Sequence, residues 1–327
     1  MSKSSASIDE NVRESASSKR RFDAMHVKSL IVALRPHQWV KNVFVFAALV
    51  FARGTRGALF DEHLDDVVRT CFAFAAFCFG ASAIYLVNDV LDVESDRAHP
   101  SKKNRPIASG AVSIPAAIAL AITCAGLAVL LSIRAEGSPV AVLPIVVGYM
   151  ALNLAYSIKL KHVVLVDAFC IAAGFLLRVI AGALAVPAAI SHWLLLCTMF
   201  LALFLALCKR KAEMDLLGES RGEHRAILRD YDHRFLDQFV TVMAACTIVT
   251  YTMYTVADET SANFGRGNLL VWTVPFVVFG LARYLLLVST KKAGGSPTRV
   301  LLGGDALFAF NTLGWIAMVA WILSRPH

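Results

Sequence analysis

Apolar stretches of about 20 residues, the length that an α-helix needs to cross the hydrocarbon core of a bilayer, recur along nearly the whole chain. Hydrophobic residues make up 57% of the sequence and charged residues only 17%, whereas soluble domains carry nearer a quarter charged residues. The pattern predicts an all-α integral membrane protein. About nine transmembrane helices are expected, near residues 38–53, 67–90, 113–133, 139–158, 163–186, 191–209, 235–257, 268–290 and 303–323.

The rest of the composition bounds the domain organisation and the partners. Residues 1–25 are polar and lack an apolar core, so we expect a disordered tail followed by a single transmembrane domain, residues 26–327. Seven cysteines lie in apolar segments without a C-x-x-C pair, which argues against a zinc site. The net charge of +8 comes from loops beside the predicted spans, so no nucleic-acid partner is expected. The sequence leaves the oligomeric state open, with a homo-oligomer among the alternatives.

Loop charge predicts the orientation in the membrane. The N-terminal tail and every second connection are basic, at Lys19–Arg21, Lys102–Arg105, Lys159–Lys161, Lys209–Lys211 and Lys291–Arg299. The connections between them are acidic or mixed, as at Asp61–Asp66. Because positively charged loops stay in the cytoplasm, we expect the N-terminus and the basic loops to be cytoplasmic, in the cytoplasmic (inner) membrane.

The stretch Tyr85–Ala108 is the richest in chemistry, because a long apolar run leads directly into four acids and then into a basic segment. Helical spacing places four side chains on one face: Tyr85, Asp89, Asp92 and Asp96. Three converging carboxylates repel one another unless a cation lies between them. Mg²⁺ is commonly held by one or two carboxylates and by phosphate oxygens. The predicted metal ligands are Asn88, Asp89, Asp92 and Asp96, and the predicted phosphate contacts downstream are Lys102, Lys103 and Arg105. The alternative is a solvated helix end followed by basic anchoring residues.

The same stretch carries a family resemblance. N-D-V-L-D-V-E-S-D, Asn88–Asp96, resembles the N-D-x-x-D-x-x-x-D signature of the UbiA-type intramembrane prenyltransferase superfamily. The continuation R-A-H-P-S-K-K-N-R-P-I-A-S-G is similar to the branch that contains the polyprenyl-phosphate (decaprenyl-phosphate) phosphoribosyltransferases. The resemblance implies helices around a central cavity, Mg²⁺ as cofactor and catalytic roles for Asp89, Asp92 and Asp96.

Two further strings resemble the same branch. R-P-H-Q-W-V-K-N opens the first apolar segment, and it makes Lys41 and Asn42 candidates for phosphate contact. C-K-R-K-A-E-M-D lies where UbiA-type aromatic prenyltransferases carry a second D-x-x-x-D motif, which is absent here. The resemblance makes Lys209 and Arg210 candidates for an additional phosphate, and Glu213 a candidate for metal or ribose hydroxyls. The alternative for each basic residue is an ordinary anchor at the membrane surface.

Polar residues also lie within the apolar segments. Tyr149, Asn153 and Tyr156 form one polar stripe, which should face protein or a cavity and not lipid. Asp167 and Arg178 are three helical turns apart in the next segment. They either pair with neighbouring helices or line the cavity, and the resemblance favours the cavity. Gly174 and Gly182 would allow close helix packing.

An acidic metal site at the cytoplasmic mouth of such a cavity suits the departure of diphosphate from an electrophilic carbon. The resemblance to the phosphoribosyltransferase branch implies transfer of 5-phosphoribose from 5-phosphoribosyl 1-diphosphate to a polyprenyl phosphate of the bilayer, for cell-envelope precursor synthesis. One alternative is an aromatic prenyltransferase of the quinone or haem type, which would use a prenyl diphosphate. Another is a lipid-phosphate transporter, although its polar groups should then lie on both sides of the midplane.

Overall fold

The computed structural model describes residues 27–51, 64–100, 102–135, 142–186, 191–217, 231–258, 260, 269–291 and 305–324. Within these ranges the regular secondary structure is helical, and no residue forms a β-strand. The predicted polar tail, residues 1–25, lies outside the described residues.

The α-helices are, in chain order, α1 (Ala47–Phe51), α2 (Leu64–Leu91), α3 (Val93–Ala98), α4 (Ile114–Arg134), α5 (Val142–Ile158), α6 (Val166–Ala185), α7 (His192–Leu217), α8 (His233–Val256), α9 (Val274–Lys291) and α10 (Ala306–Ser324). Residues 27–34 are also helical. Four 3₁₀ helices lie at Pro36–Phe46, Lys102–Asn104, Leu160–His162 and Leu269–Thr273.

Six of the described helices are long and apolar enough to cross a membrane: Leu64–Leu91, Ile114–Arg134, Val166–Ala185, His192–Asp215, His233–Val256 and Leu269–Thr290. Val142–Ile158 and Ala306–Ile322 are apolar but shorter. The first predicted span is instead the 3₁₀ helix Pro36–Phe46 followed by the five-residue α1. The all-helical prediction is therefore confirmed, whereas the count of nine spans is not.

Short polar side chains begin several of these helices. The Ser113 hydroxyl accepts from the Ala116 N–H at 3.4 Å before α4, and the Asp232 carboxylate accepts from the Phe235 N–H at 3.1 Å before α8. Such caps satisfy the backbone N–H groups that the first turn leaves without helical partners. They fix where the spans begin.

The chain divides into two compact units. The first comprises residues up to Asn42 together with Ala75–Leu130, and the second comprises Val43–Phe74 and the chain from Leu131 onward. The single domain expected from the sequence stays a prediction.

In the first unit, the segment before Asn42 is bound to α2 by a short polar chain. The Trp39 indole donates to the Ser82 hydroxyl at 3.1 Å, and that hydroxyl donates to the Leu34 carbonyl at 2.8 Å. The Asn42 amide, which is 1% exposed, donates to the Cys78 sulfur at 3.2 Å. These contacts hold the Arg35-bearing turn beside the end of α2.

In the second unit, the largest core cluster is built from α6, α7, α8, α9 and α10, with Phe204, Leu207 and Leu236 fully buried. A smaller cluster joins Val179 of α6 to Tyr254 of α8. Gly182 of α6 lies against the backbone of Val45, where an added Cβ would be only 1.8 Å from the carbonyl oxygen. The expectation that Gly182 permits close packing is confirmed, because only a residue without a side chain fits there.

Candidate active site

Two buried aspartates lie at the end of α2 and in α3, within the first unit. Asp89 is 2% exposed and Asp96 is 1% exposed. A single nitrogen of Arg105, Nη1, donates to Asp89 Oδ1 at 3.0 Å and to Asp96 Oδ2 at 2.6 Å. The predicted convergence of these two acids is therefore present, and a guanidinium lies between them.

Two more cations complete this group, which we call the aspartate cluster (Asp89, Asp96, Arg35, Lys102 and Arg105). Arg35 Nη2 donates to Asp89 Oδ1 at 2.5 Å, and Lys102 Nζ lies 3.7 Å from Asp96 Oδ1. All three cations are partly exposed, whereas both carboxylates are buried. The cluster thus presents positive charge outward over fixed negative charge, which suits a polyanionic ligand.

The helical face that carries the acids is interrupted at Asp92. Helix α2 ends at Leu91 and α3 begins at Val93, while Asp92 itself has φ −93° and ψ 9°. The backbone hydrogen bonds nevertheless continue, because Asp92 N–H donates to Asn88 and Asp96 N–H donates to Asp92, at 2.9 and 2.8 Å. The helix is therefore interrupted at this residue, but the i, i+4 hydrogen-bond register continues across the break.

The loop after α3 is compact, and it carries the basic residues back toward the acids. Arg97 Nε donates to the Ala108 carbonyl at 3.2 Å, and Val112 N–H donates to the Pro106 carbonyl at 2.9 Å. Ile107 is buried beneath the loop, and Gly110 turns it with φ +81°. This folding explains why Arg105, nine residues beyond Asp96, contacts it.

Two buried oxygens of this region fit a divalent cation. Asn88 Oδ1 and Asp96 Oδ1 accept no hydrogen bond from any described residue. Buried oxygens normally find a partner, and carboxylate and amide oxygens are ligands of Mg²⁺. Within the described ranges, no three acidic, His or Cys side chains form a metal-binding group by themselves. Asn88 and Asp96 therefore each offer an oxygen of the kind that Mg²⁺ binds, and a bound phosphate would have to supply part of the coordination.

The other residues predicted near this site are placed as follows. The Arg35 guanidinium lies over the Tyr85 ring in a cation–π contact, with its carbon 4.9 Å from the ring centroid. Asn42 is buried against Cys78, so its amide serves packing of the first unit, while Lys41 is only partly buried. Lys103 is exposed, and the described part of the chain offers it no ion pair.

A second polar group lies within the second unit. Arg210 of α7 is 1% exposed; its Nε donates to Asp167 Oδ2 at 2.7 Å, and its Nη1 donates to Glu213. The Tyr231 hydroxyl donates to Asp167 Oδ1 at 2.9 Å and accepts the Leu165 N–H at 2.9 Å. We call this chain of contacts, Leu165 N–H, Tyr231, Asp167, Arg210 and Glu213, the Asp167 network.

The burial of this network changes the expected roles of its members. Asp167 on α6 pairs with Arg210 on α7. Of the two alternatives for Asp167, pairing with a neighbouring helix is therefore the one observed. Arg210 has no exposed face for a phosphate, whereas the side chains of Lys209 and Glu213 are 41% and 23% exposed. Burial raises the pKa of the Tyr231 phenol to about 12, so the hydroxyl keeps its proton near neutral pH.

Arg178, predicted to line the cavity, also has protein partners, one on its own helix and one on α5. Its Nη1 donates to the Gly174 carbonyl and its Nη2 donates to the Tyr149 hydroxyl, both at 2.8 Å. Asn153 turns back to donate to the Tyr149 carbonyl at 2.8 Å, and Tyr156 is half-buried. Tyr149 of the stripe on α5 thus faces protein and binds Arg178, whereas the printed contact of Asn153 stays within its own helix.

Three functional contacts were not expected from the sequence. Arg35 opens the string R-P-H-Q-W-V-K-N, and nothing in its sequence context indicates that it binds Asp89; its backbone adopts φ +54°, which is unusual for a residue other than glycine. Tyr231 follows a charged segment without any apolar periodicity. Arg283 binds Asp305 through two nitrogens, at 3.0 and 2.7 Å, and Asp305 caps α10 through the Phe308 N–H. Of these three, only Arg283 has a recognisable sequence signal, because a charged residue within an apolar segment is expected to have a partner.

The chain is similar to known proteins over most of its length. The chain is 37% identical to the decaprenyl-phosphate phosphoribosyltransferase of Corynebacterium glutamicum over 288 residues, which is 88% of this chain and 84% of that protein. It is 35% identical over 300 residues to the protein of the same name from Mycolicibacterium smegmatis, covering 90% of this chain and 92% of the relative. The predicted resemblance to this branch is confirmed.

The fold is similar to that of a solved UbiA homologue from Archaeoglobus fulgidus, whose structure was determined with GPP and Mg²⁺. The TM-score is 0.67 at 16% identity, over 91% of this chain and 100% of that one. The profile of the UbiA prenyltransferase family matches residues 42–311, a range that contains Asp89, Asp96 and the whole Asp167 network. An all-helical membrane fold, the N-D-x-x-D-x-x-x-D acids and this match lead to one conclusion: the chain belongs to the UbiA prenyltransferase family.

Proposed function

We propose that this protein transfers 5-phosphoribose from 5-phosphoribosyl 1-diphosphate to a polyprenyl phosphate such as decaprenyl phosphate. The observation that carries the proposal is the aspartate cluster, in which two buried carboxylates are surrounded by three partly exposed cations. The similarity to two decaprenyl-phosphate phosphoribosyltransferases over most of the chain supports the choice of donor and acceptor.

The diphosphate of the donor would bind at the aspartate cluster. Arg105 and Lys102 contact phosphate oxygens, and Arg35 holds Asp89 in place beneath them. Asn88, Asp89, Asp92 and Asp96 would hold Mg²⁺, with Asn88 Oδ1 and Asp96 Oδ1 as the buried oxygens that accept no hydrogen bond from a described residue. Bound there, Mg²⁺ supplies neutralisation of the charge on a leaving diphosphate.

Glu213 and Lys209, in the second unit, have the chemistry to bind ribose hydroxyls and a phosphate, respectively. A carboxylate accepts hydrogen bonds from vicinal hydroxyls, and an ammonium pairs with the 5-phosphate. Both side chains are partly exposed, and Arg210 fixes Glu213 from the buried side. Arg210 therefore supports the contact without making it. Positive charge or packing around the phosphates would come from Lys103, Lys41, Asn42 and Tyr85. The wall of the expected cavity would include Arg178, Tyr149, Asn153 and Tyr156.

The reaction itself needs little proton transfer. An oxygen of the lipid phosphate attacks C1 of the ribose, the bond between C1 and the diphosphate oxygen breaks, and diphosphate leaves. The products are polyprenyl-phosphoryl-5-phosphoribose and diphosphate. A phosphate monoester is already anionic at neutral pH, so no strong general base is required. The positive side chains of the aspartate cluster stabilise the charge that grows on the leaving group.

The protein would work in the cytoplasmic membrane. The acceptor's apolar tail would lie in the bilayer while the soluble donor enters from the cytoplasm, which requires the basic loops and the N-terminus on the cytoplasmic side. The two shorter apolar helices and the segment around the 3₁₀ helix Pro36–Phe46 would bring the number of membrane segments to nine. The product would serve cell-envelope precursor synthesis.

The test is an incubation of purified protein with Mg²⁺, decaprenyl phosphate and labelled 5-phosphoribosyl 1-diphosphate. We expect label to enter the lipid phase, and we expect a chelator to abolish the transfer until Mg²⁺ is restored. Asp92→Asn should abolish turnover, whereas Glu94→Gln, an exposed acid of the same motif, should leave it unchanged.

A parallel reaction holds a prenyl diphosphate and 4-hydroxybenzoate. Product in that reaction alone would identify an aromatic prenyltransferase and overturn the proposed donor. No product in either reaction, together with movement of lipid phosphate across proteoliposomes, would replace the enzyme by a transporter. Normal turnover of Asp92→Asn would disprove the metal-site assignment.

A further inference from the structure

The accessible end of the Asp167 network is Glu213, and the buried end is the hydroxyl of Tyr231. The contacts between these ends form a continuous series of hydrogen bonds. The Leu165 N–H donates to Tyr231, the Tyr231 O–H donates to Asp167, and Arg210 donates to both Asp167 and Glu213. Asp167 is 0% exposed, so its charge depends on these two partners. A change at Tyr231 should therefore reach Glu213 through two buried ionic side chains.

Tyr231 also supports an unusual backbone turn. Leu165 adopts φ +65°, a conformation that residues other than glycine rarely adopt. Its N–H, at the point where the chain enters α6, donates to the Tyr231 hydroxyl. Asp167 follows two residues later in the first turn of α6. One hydroxyl thus fixes both the turn that leads into the helix and the carboxylate on it.

We propose that Tyr231 is a positioning residue for donor recognition: it holds Asp167 and Arg210, and through them it fixes the orientation of the Glu213 carboxylate that accepts the ribose hydroxyls. The role of Glu213 in this inference rests on the proposed function. Tyr231 itself does not touch the donor, since it is buried and its hydroxyl already accepts one hydrogen bond, from Leu165, and donates one, to Asp167. A donor without hydroxyls would gain nothing from this arrangement.

The kinetic test compares Tyr231→Phe with Tyr284→Phe. Both tyrosines are 3% exposed and belong to the same core cluster, but the Tyr284 hydroxyl has no hydrogen-bond partner in the described chain. We expect Tyr231→Phe to raise KM for 5-phosphoribosyl 1-diphosphate about tenfold, the size of one hydrogen bond to a charged group. KM for decaprenyl phosphate should stay unchanged, and Tyr284→Phe should match the parent protein. An equal rise of both KM values would indicate general loosening and would overturn the inference.

A second test does not depend on the identity of the donor. Tyr231→Phe and Glu213→Gln remove groups that do not touch each other, so independent effects on the melting temperature would add. We expect the double variant to lose less than the sum of the two single losses, because either change already disrupts the same network. Additive losses would exclude the connection between Tyr231 and Glu213. If the connection holds but no phosphoribosyl transfer occurs, the proposed function fails and the network remains.

Discussion

Arg210 and Asp167 form an ion pair, 2.7 Å from Nε to Oδ2, in which the two side chains are 1% and 0% exposed. At this burial, solvent screens the pair very little. The sequence predicts ligand contact for both residues, and in the structure their ion pair joins the start of α6 to the C-terminal part of α7. Because both side chains are buried, substituting either one should change the free energy of unfolding strongly. That change can be measured without a ligand.

Breaking this pair on one side should destabilise the protein strongly. Arg210→Met leaves Asp167 buried without its cation, and we expect a loss of about 3–5 kcal/mol in the free energy of unfolding. The double variant Asp167→Leu/Arg210→Met should be more stable than Arg210→Met, because no buried charge remains. Thermal unfolding in detergent measures both. A double variant less stable than either single one would contradict this account of the pair.

Lys102 and Lys103 are neighbours in the sequence but differ in their contacts. Lys102 lies 3.7 Å from Asp96, whereas Lys103 is exposed. We expect Lys102→Gln to raise KM for the diphosphate donor about fivefold, since a partly exposed charge contact contributes about 1 kcal/mol, and Lys103→Gln to change it less than twofold. Steady-state kinetics at two salt concentrations would check this. Equal effects of the two substitutions would mean that only the total charge of the loop matters.

Gly182→Ala should be far more costly than an alanine elsewhere in the helices. Its Cβ would overlap the Val45 carbonyl oxygen, at 1.8 Å; the Cβ position is fixed by the helix backbone and the oxygen is itself a backbone atom, so neither can rotate away. We expect a loss of about 3 kcal/mol or more. Gly148→Ala on α5 is the control, because nothing lies within 4 Å of its added Cβ. That variant should be neutral or slightly stabilised, since alanine favours a helix over glycine.

Asp305 has two roles that two substitutions separate. Asp305→Asn keeps an oxygen for the Phe308 N–H but loses the ion pair with Arg283, whereas Asp305→Ala loses both. We expect the alanine variant to be less stable than the asparagine variant by about 1 kcal/mol, the usual value of a helix cap. Differential scanning fluorimetry would rank the three proteins. Equal melting temperatures for the two variants would mean that the cap contributes nothing.

The helical class, the family and the acids of the site were predictable because each depends on local pattern. Apolar length identifies membrane helices, and the spacing of Asp89 and Asp96 survives in the structure. Side-chain burial at the helix ends was not predictable in this way. Arg210 and Lys209 are adjacent and basic, yet one is buried and the other exposed, since a turn of about 100° per residue directs them to different neighbours. The contact between Arg35 and Asp89 was not predictable from local pattern, because the two residues are 54 positions apart in the sequence.

The unbroken backbone hydrogen bonding across Asp92 sets a limit on how this segment can vary. Side chains between Asp89 and Asp96 can change without moving either carboxylate, but a single inserted or deleted residue would rotate Asp96 by about 100° around the helix axis. Arg105 could then reach only one of the two acids. Among proteins built on this scaffold, the segment should therefore tolerate many substitutions and almost no change of length.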